Sequence, residues 1–334
     1  MTWLTWRQVR GGVWGAVGAL AALGVLLTVT GRSISRAYEA SGAATCGTDC
    51  DGAFSLFLDE VLRGGTGTLY DVVTLVLFVV PALVGIFWGA PLVARELETG
   101  TYRVAWTQSV SRTRWLMSKL AVVGGATVAV VGVCTAAVTL WAQRIDTAVG
   151  DRILPGGFTA RGVVPVGYAL FALALGTAAG VLIRRTVPAM AVTVAGYAAV
   201  AVAFESWIRA RLVAPVRTGR PFDMSALDAL MIGPEGEMTV IGSENLPDAW
   251  VLTNQTVTPA GEVFTGPADP RFCAEDVAQR ACDDWVDSLG LRQELVFHPA
   301  DHFWPLQWIE LGLLVVAAAS LVALCFWWVR RRLT

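Results

Sequence analysis

The chain has 334 residues, of which 55% are hydrophobic and only 16% charged, with a mean hydropathy of +0.57 and a formal net charge of −2. That balance excludes an ordinary water-soluble globular domain and defines an integral membrane protein. With so little net charge, no nucleic-acid partner is expected.

In chain order, Trp3, Trp6, Arg7 and Arg10 come first and share one helical face through i, i+3 and i+4 spacing. Trp at a membrane interface and Arg near anionic headgroups would hold residues 1–11 as an amphipathic helix along the inner leaflet. The plainer reading is a positive flank of the first span. Six apolar runs follow, each long enough to cross a core of roughly 30 Å as a helix of about 20 residues: 12–30, 69–93, 120–143, 163–183, 187–207 and 305–329. Lipid offers backbone groups no outside partner and no strand repeat is visible, so every run is expected to be helical. The first run is as long as a span and lacks a small-residue cleavage site, so it is not read as a cleavable signal peptide.

The expected fold class is therefore all-α transmembrane: a six-helix polytopic bundle with an N-terminal amphipathic helix and a large extracytoplasmic insertion before the last span. Residues 12–207 hold five spans and a cytoplasmic loop at 94–119. Residues 208–304, which contain Pro, Gly, Asp and Trp in irregular order, form the insertion, and 305–334 the sixth span with a basic tail. Asn254-Gln255-Thr256 in the insertion matches a glycosylation acceptor triplet and is assigned no role.

Charge sets the orientation. With both termini cytoplasmic, the inner segments carry Arg7, Arg10, Arg95, Arg103, Arg112, Arg114, Lys119, Arg184, Arg185, Arg330, Arg331 and Arg332 against only Glu96 and Glu98. Short, basic inner segments are what the positive-inside rule requires, which places the protein in the cell membrane as a multi-pass chain. Cys46 and Cys50 then fall in the first outer loop and Cys273 and Cys282 in the last, on an oxidising face. Four such cysteines read as two disulfides, joined within each loop or across the two, with pairing within each loop expected. A zinc site from the same cysteines has unconventional spacing, and no metal is expected.

Within the spans, ionisable residues are scarce, and Asp71, Glu205 and Glu310 lie near ends where the interface can solvate them. A carrier driven by protons or sodium ions needs such groups near the midplane. Gly11, Gly15 and Ala19 are spaced by four, as are Gly176 and Gly180, a pattern that lets helices approach closely. Pro81 and Pro188 are positions for kinks.

The loop at 94–119 concentrates the chemistry. Arg95 to Thr99 can extend the second span beyond the membrane, Gly100 can end it in a left-handed turn, and Ser111 can start the helix entering the third span. A helix, turn, helix protrusion would transmit a push from a soluble partner to two spans at once. The plainer reading is a positive-inside loop without a partner.

A span followed by Arg95-Glu96-x-Glu98-x-Gly100-Thr101, then Ser111-Arg112-x-Arg114, then Lys119, resembles the ABC-2-type permease family, the membrane subunits of type V ATP-driven exporters. The span number, the lead-in helix and the outer segment before the last span extend that resemblance over most of the chain. It implies a permease that dimerises with an identical or different second permease and contacts a separate nucleotide-binding ATPase subunit through the loop after its second span. Carried over by position, Glu96, Glu98, Gly100 and Thr101 belong to the coupling element and Arg112 and Arg114 to the segment re-entering the membrane, with Arg95, Ser111 and Lys119 completing the set that couples to the ATPase partner. The insertion departs from the family pattern, where re-entrant helices fill that position.

The chain contains no G-x-x-x-x-G-K-[ST] phosphate loop, and Lys119, its one lysine, is not preceded by one. It is therefore read as a transport subunit and not an enzyme, with no cofactor of its own; ATP and Mg belong to the partner subunit. The expected cargo is hydrophobic or amphipathic, such as a drug, antibiotic or lipid-like molecule, moved outward. An intramembrane protease is excluded because His298 and His302 lie outside the spans and no H-E-x-x-H occurs. The remaining alternative is a membrane-anchored sensor or surface protein with a ligand-binding outer domain, in which His298, Asp301 and His302 would be the metal candidates.

Overall fold

The computed structural model describes residues 2–47, 50–101, 111–150, 152–233, 237–243, 246, 248–273 and 278–331, and for 2–10, 13, 226, 232 and 279 the backbone alone. Among the described residues six helical segments are long and apolar enough to cross a membrane: Trp14–Ala40, Thr66–Thr99, Arg112–Val149, Val164–Ile183, Thr186–Arg211 and Ala300–Arg331. The chain divides into two compact units, one of the spans and one of residues 213–302.

Helix α1 (Thr2–Ala40) runs without a break through residue 11, so no backbone boundary separates a lead-in helix from the first span. The side chains of Trp3, Trp6, Arg7 and Arg10 lie outside the described residues. A short helix α2 (Asp51–Arg63) follows, an element the apolar runs do not reveal, and buries Phe57 and Val61. Phe57 meets the Tyr38 ring edge-on at 5.2 Å. The second span is composite: α3 (Thr66–Val84), a π-helical turn over Gly85–Gly89, and α4 (Ala90–Thr99). Pro81 inside α3 has no N–H for the preceding turn, and the wide turn begins four residues later at Gly85, whose N–H bonds to the Pro81 and Ala82 carbonyls.

Helix α5 (Arg112–Val149) is the third span, α6 (Pro155–Phe158) a single turn, α7 (Val164–Ile183) the fourth span and α8 (Thr186–Ala203) most of the fifth. Pro188 is the third residue of α8. It sits in the first turn, where backbone N–H groups have no helical partner, so the expected kink has no cause there. A second π-helical turn, Phe204–Ile208, closes the fifth span, and helix α10 (Phe303–Arg331) is the sixth.

The fourth span is the hub, with 72% of its most apolar window buried against 6% for the first span. Its glycines explain the contact with the second span. A Cβ on Gly176 would come within 2.7 Å of the Ala90 nitrogen, and one on Gly180 within 2.7 Å of the Ala90 oxygen. Side chains are thus excluded where the two backbones meet, and small residues let dispersion contacts replace them. Gly11 and Gly15 carry the same spacing, yet nothing lies within 4 Å of a Cβ at either.

The second unit corrects the all-α expectation. Strands β1 (Val216–Pro221), β5 (Arg292–His298) and β4 (Trp250–Val257) form an antiparallel sheet in the order β1-β5-β4, with Val216 opposite Phe297 and Trp250 opposite His298. Strands β2 (Leu227–Ile232) and β3 (Met238–Gly242) form a separate hairpin. Helix α9 (Gln279–Ser288) supplies Cys282 and Val286 to a core with Met238, Val240 and Leu291. The requirement for helix holds only where lipid is the solvent; sheet edges are tolerated in this polar stretch because water can satisfy them. Asn254 donates to the Gly242 carbonyl at 2.8 Å and accepts from Gln293 at 2.9 Å, which engages the side chain of the glycosylation triplet.

Candidate functional site

The candidate site is the pair of helix ends that frame residues 100–111, with the charges that tie them to neighbouring spans. Gly100, at φ 73°, ends α4 in the left-handed conformation that glycine adopts without penalty. Thr99 donates to the Arg95 carbonyl at 2.8 Å, closing the last turn. Across the gap, Ser111 has extended backbone and accepts from the Arg114 N–H at 3.3 Å, the geometry of an N-cap. Residues 102–110, among them Arg103 of the basic inner set, lie outside the described residues. The two helices they join therefore begin and end where local chemistry dictates.

Both carboxylates of this segment are bonded within the chain. Lys119 on α5 is 4% exposed and donates to Glu96 Oε1 at 2.6 Å and to the Leu92 carbonyl at 3.1 Å. A lysine at that depth needs both partners, because an unpaired ammonium in a low-dielectric interior is costly. Glu98, two residues on and so on another face of α4, accepts from the Thr186 N–H at 3.1 Å and the Thr186 hydroxyl at 2.8 Å, and so caps the N-terminus of α8 from another span. One helix end is thus tied to the third span by Glu96 and to the fifth by Glu98. An apolar layer beneath, built from Val93, Trp115, Leu116, Ala178, Val181, Cys325 and Val329, joins spans two, three, four and six. Arg95, Thr101, Ser111 and Arg114 are exposed, and Arg112 is half-buried.

The opposite end of the bundle holds charges that the sequence reading left unpaired or placed in solvent. Glu310, expected at a solvated interface, has no exposed surface; Arg209 donates to both of its carboxylate oxygens at 2.9 and 3.0 Å, and Tyr168 donates to it at 2.8 Å. Arg209 also donates to Thr159 at 2.8 Å and lies over the Phe158 ring at 4.4 Å. A second pair joins Arg161 to Asp146 at 2.9 and 3.2 Å, with the Tyr70 hydroxyl donating to the same carboxylate at 2.7 Å. Gln307 accepts from the N–H groups of Val163 and Val164 at 2.9 and 3.0 Å and donates to the Phe158 carbonyl at 3.0 Å. These bonds fasten residues 155–164 to the end of the fifth span and the start of the sixth. The signal available in sequence was opposite charge at span ends of the same level: Asp146 with Arg161, and Arg209 with Glu310.

The cysteines pair within each loop, Cys46 with Cys50 and Cys273 with Cys282, while Cys134 and Cys325 are free and buried. Among the described residues no group of three or more His, Cys, Asp or Glu could hold a metal ion. His298 and His302 instead face each other through their Nδ1 atoms at 3.0 Å.

Among the described residues, six membrane-capable helices, one of them a glycine-packed hub, with a capped helix end on either side of residues 100–111, define a multi-pass helical membrane protein. The chain belongs to the family described as ABC-2 membrane transporter related, whose profile matches residues 17–209. The match covers the first five spans and the segment at 94–119 and ends as the fifth span closes. No curated protein and no solved structure matches the chain.

Proposed function

We propose that this protein is the permease half of an ATP-driven exporter, moving a hydrophobic or amphipathic substrate outward with energy from a separate nucleotide-binding subunit. Membership of the ABC-2 membrane transporter related family supports the transport reading. ATP and Mg are bound by the partner, and a second permease, identical or not, completes the translocation unit. Both termini and residues 94–119 face the cytoplasm, as the basic inner segments require.

The observation that carries the mechanism is the double tie of α4. A force delivered to the exposed residues Arg95, Thr101 and Arg114 reaches the third span through Glu96 and Lys119, and the fifth through Glu98 and Thr186. Rigid helices joined by discrete bonds carry displacement further than a mobile loop could. At the other end, the buried Arg209–Glu310 and Arg161–Asp146 pairs hold the spans together, so displacement becomes rocking about a fixed end.

Glu96 and Glu98 are engaged within the chain, so the surface offered to the ATPase is assigned to Arg95, Thr101 and Arg114. Recovery of a co-expressed nucleotide-binding subunit with the solubilised protein tests this. Arg95→Glu with Arg114→Glu should abolish recovery while leaving the permease folded; undiminished recovery would remove this segment from the interface.

A further inference from the structure

Next to the helix ends just described lies a groove of about 460 Å³ between the start of α5 and the end of α10. Met117, Phe326 and Trp327 form its apolar part, and Thr113, Arg330 and Arg331 its polar rim. Met117 and Trp327 are exposed by 56% and 44%, an extent of apolar surface that belongs against acyl chains. Arg330 donates to the Thr113 hydroxyl at 3.2 Å, which joins the two helix ends and fixes its guanidinium at the rim. Among the described residues no carboxylate forms an ion pair with Arg330 or Arg331, although both stand in the last turn of α10.

We infer that this groove is a binding site for an anionic phospholipid of the inner leaflet. The phosphodiester would lie between Arg330 and Arg331 and an acyl chain along Met117, Phe326 and Trp327. The inference rests on the cytoplasmic placement of the helix ends proposed above. Two features select this occupant. The site has one positive rim and one apolar wall, in the vertical order of a phospholipid, and cationic clusters beside the cytoplasmic leaflet attract anionic lipid. Arginine adds paired donors that match phosphate oxygens, which a zwitterionic headgroup meets with its own cation already beside them. The groove also touches α5 at Met117, six residues after its N-cap and two residues before Lys119, so lipid bound there buttresses the third span where Glu96 holds it.

Native mass spectrometry of the full-length protein in detergent, titrated with dioleoyl phosphatidylglycerol or dioleoyl phosphatidylcholine, tests the site. Roughly fivefold preference per arginine is the scale for cations at an anionic surface, so phosphatidylglycerol should bind at least tenfold more tightly than phosphatidylcholine. In Arg330→Gln/Arg331→Gln the preference should fall to about twofold, and in Arg330→Lys/Arg331→Lys most of it should return. Equal binding of the two lipids, or a preference unchanged by the glutamine pair, overturns the proposal. Displacement of phosphatidylglycerol by inorganic phosphate would make the groove a simple anion site and overturns it too. Labelling of Ser111→Cys by an impermeant thiol reagent in intact cells reports the orientation separately: external labelling defeats the leaflet assignment and the proposed function, whereas lipid selectivity in detergent is unaffected.

Discussion

At the end of the bundle where the chain leaves at residue 212 and returns at 303, the ion-paired side chains are almost entirely enclosed: 0% and 0% exposed for Arg209 and Glu310, 1% and 5% for Arg161 and Asp146. At the end carrying residues 94–119, Lys119 is equally enclosed, but Glu96 retains 16% exposure and Glu98 is exposed. The enclosed pairs are also multiply bonded, with Tyr168 and Tyr70 completing their carboxylates. Breaking such a pair strands a charge in low dielectric, whereas a carboxylate that reaches water can part from its partner cheaply. In the rocking mechanism proposed above, the enclosed pairs are the fixed end and the less enclosed ties of Glu96 and Glu98 are the end that moves.

The comparison breaks most sharply at Arg209. Arg209→Met should cost about 3–5 kcal/mol, because Glu310 is left buried and unpaired. Thermal unfolding of the purified protein would record the loss. The double change Arg209→Met with Glu310→Leu should recover most of it, since removing both charges also removes the desolvation penalty. A single change as harmless as the double would show that this end of the bundle is not a clamp.

A second break separates two identical glycine spacings. Gly176→Ala drives a methyl group into the backbone around Ala90 and should cost about 1–3 kcal/mol. Gly15→Ala meets nothing within 4 Å and should shift stability by less than about 0.5 kcal/mol. Equal effects in the same unfolding assay would mean that the second and fourth spans are not in backbone contact.

The remaining two changes sharpen the contrast between the ends. Lys119→Met leaves Glu96 with partial access to water, so the expected loss is about 1–2 kcal/mol, below that of Arg209→Met. A loss as large as at Arg209 would erase the asymmetry. Glu98→Ala removes an exposed cap and should leave the unfolding temperature nearly unchanged. It should lower substrate-stimulated ATP hydrolysis by the reconstituted complex roughly threefold, the scale expected when one link in a coupling network is cut. Unaltered stimulation would show that the tie to the fifth span carries no motion.

Several of these features are written in local sequence. Gly100 in its left-handed turn and Ser111 as a cap follow from backbone chemistry within four residues, and the apolar runs follow from bilayer thickness. The run ends were less legible. Predicted over 12–30, the first span reaches Ala40, because Arg32, Ser33, Ser35 and Arg36 continue a helix that hydropathy alone would stop. Pairing of the cysteines was open between two schemes, since spacing does not say whether two outer loops meet. Strands of the polar insertion were missed because their apolar residues are too interspersed to stand out from loop.

By itself the sequence determined a six-span membrane chain, its basic face and the segment where a family resemblance converges. Each of these depends on neighbours along the chain or on the bilayer as a uniform solvent. Only the tertiary structure decided that Glu96 belongs to Lys119 and Glu98 to Thr186, that Arg209 closes on Glu310 101 residues away, and that Gly176 rather than Gly15 meets another backbone. The physical reason is the same in each case. A carboxylate or a glycine carries no label for its partner, and the choice is made by which helices pack together once their apolar faces are buried.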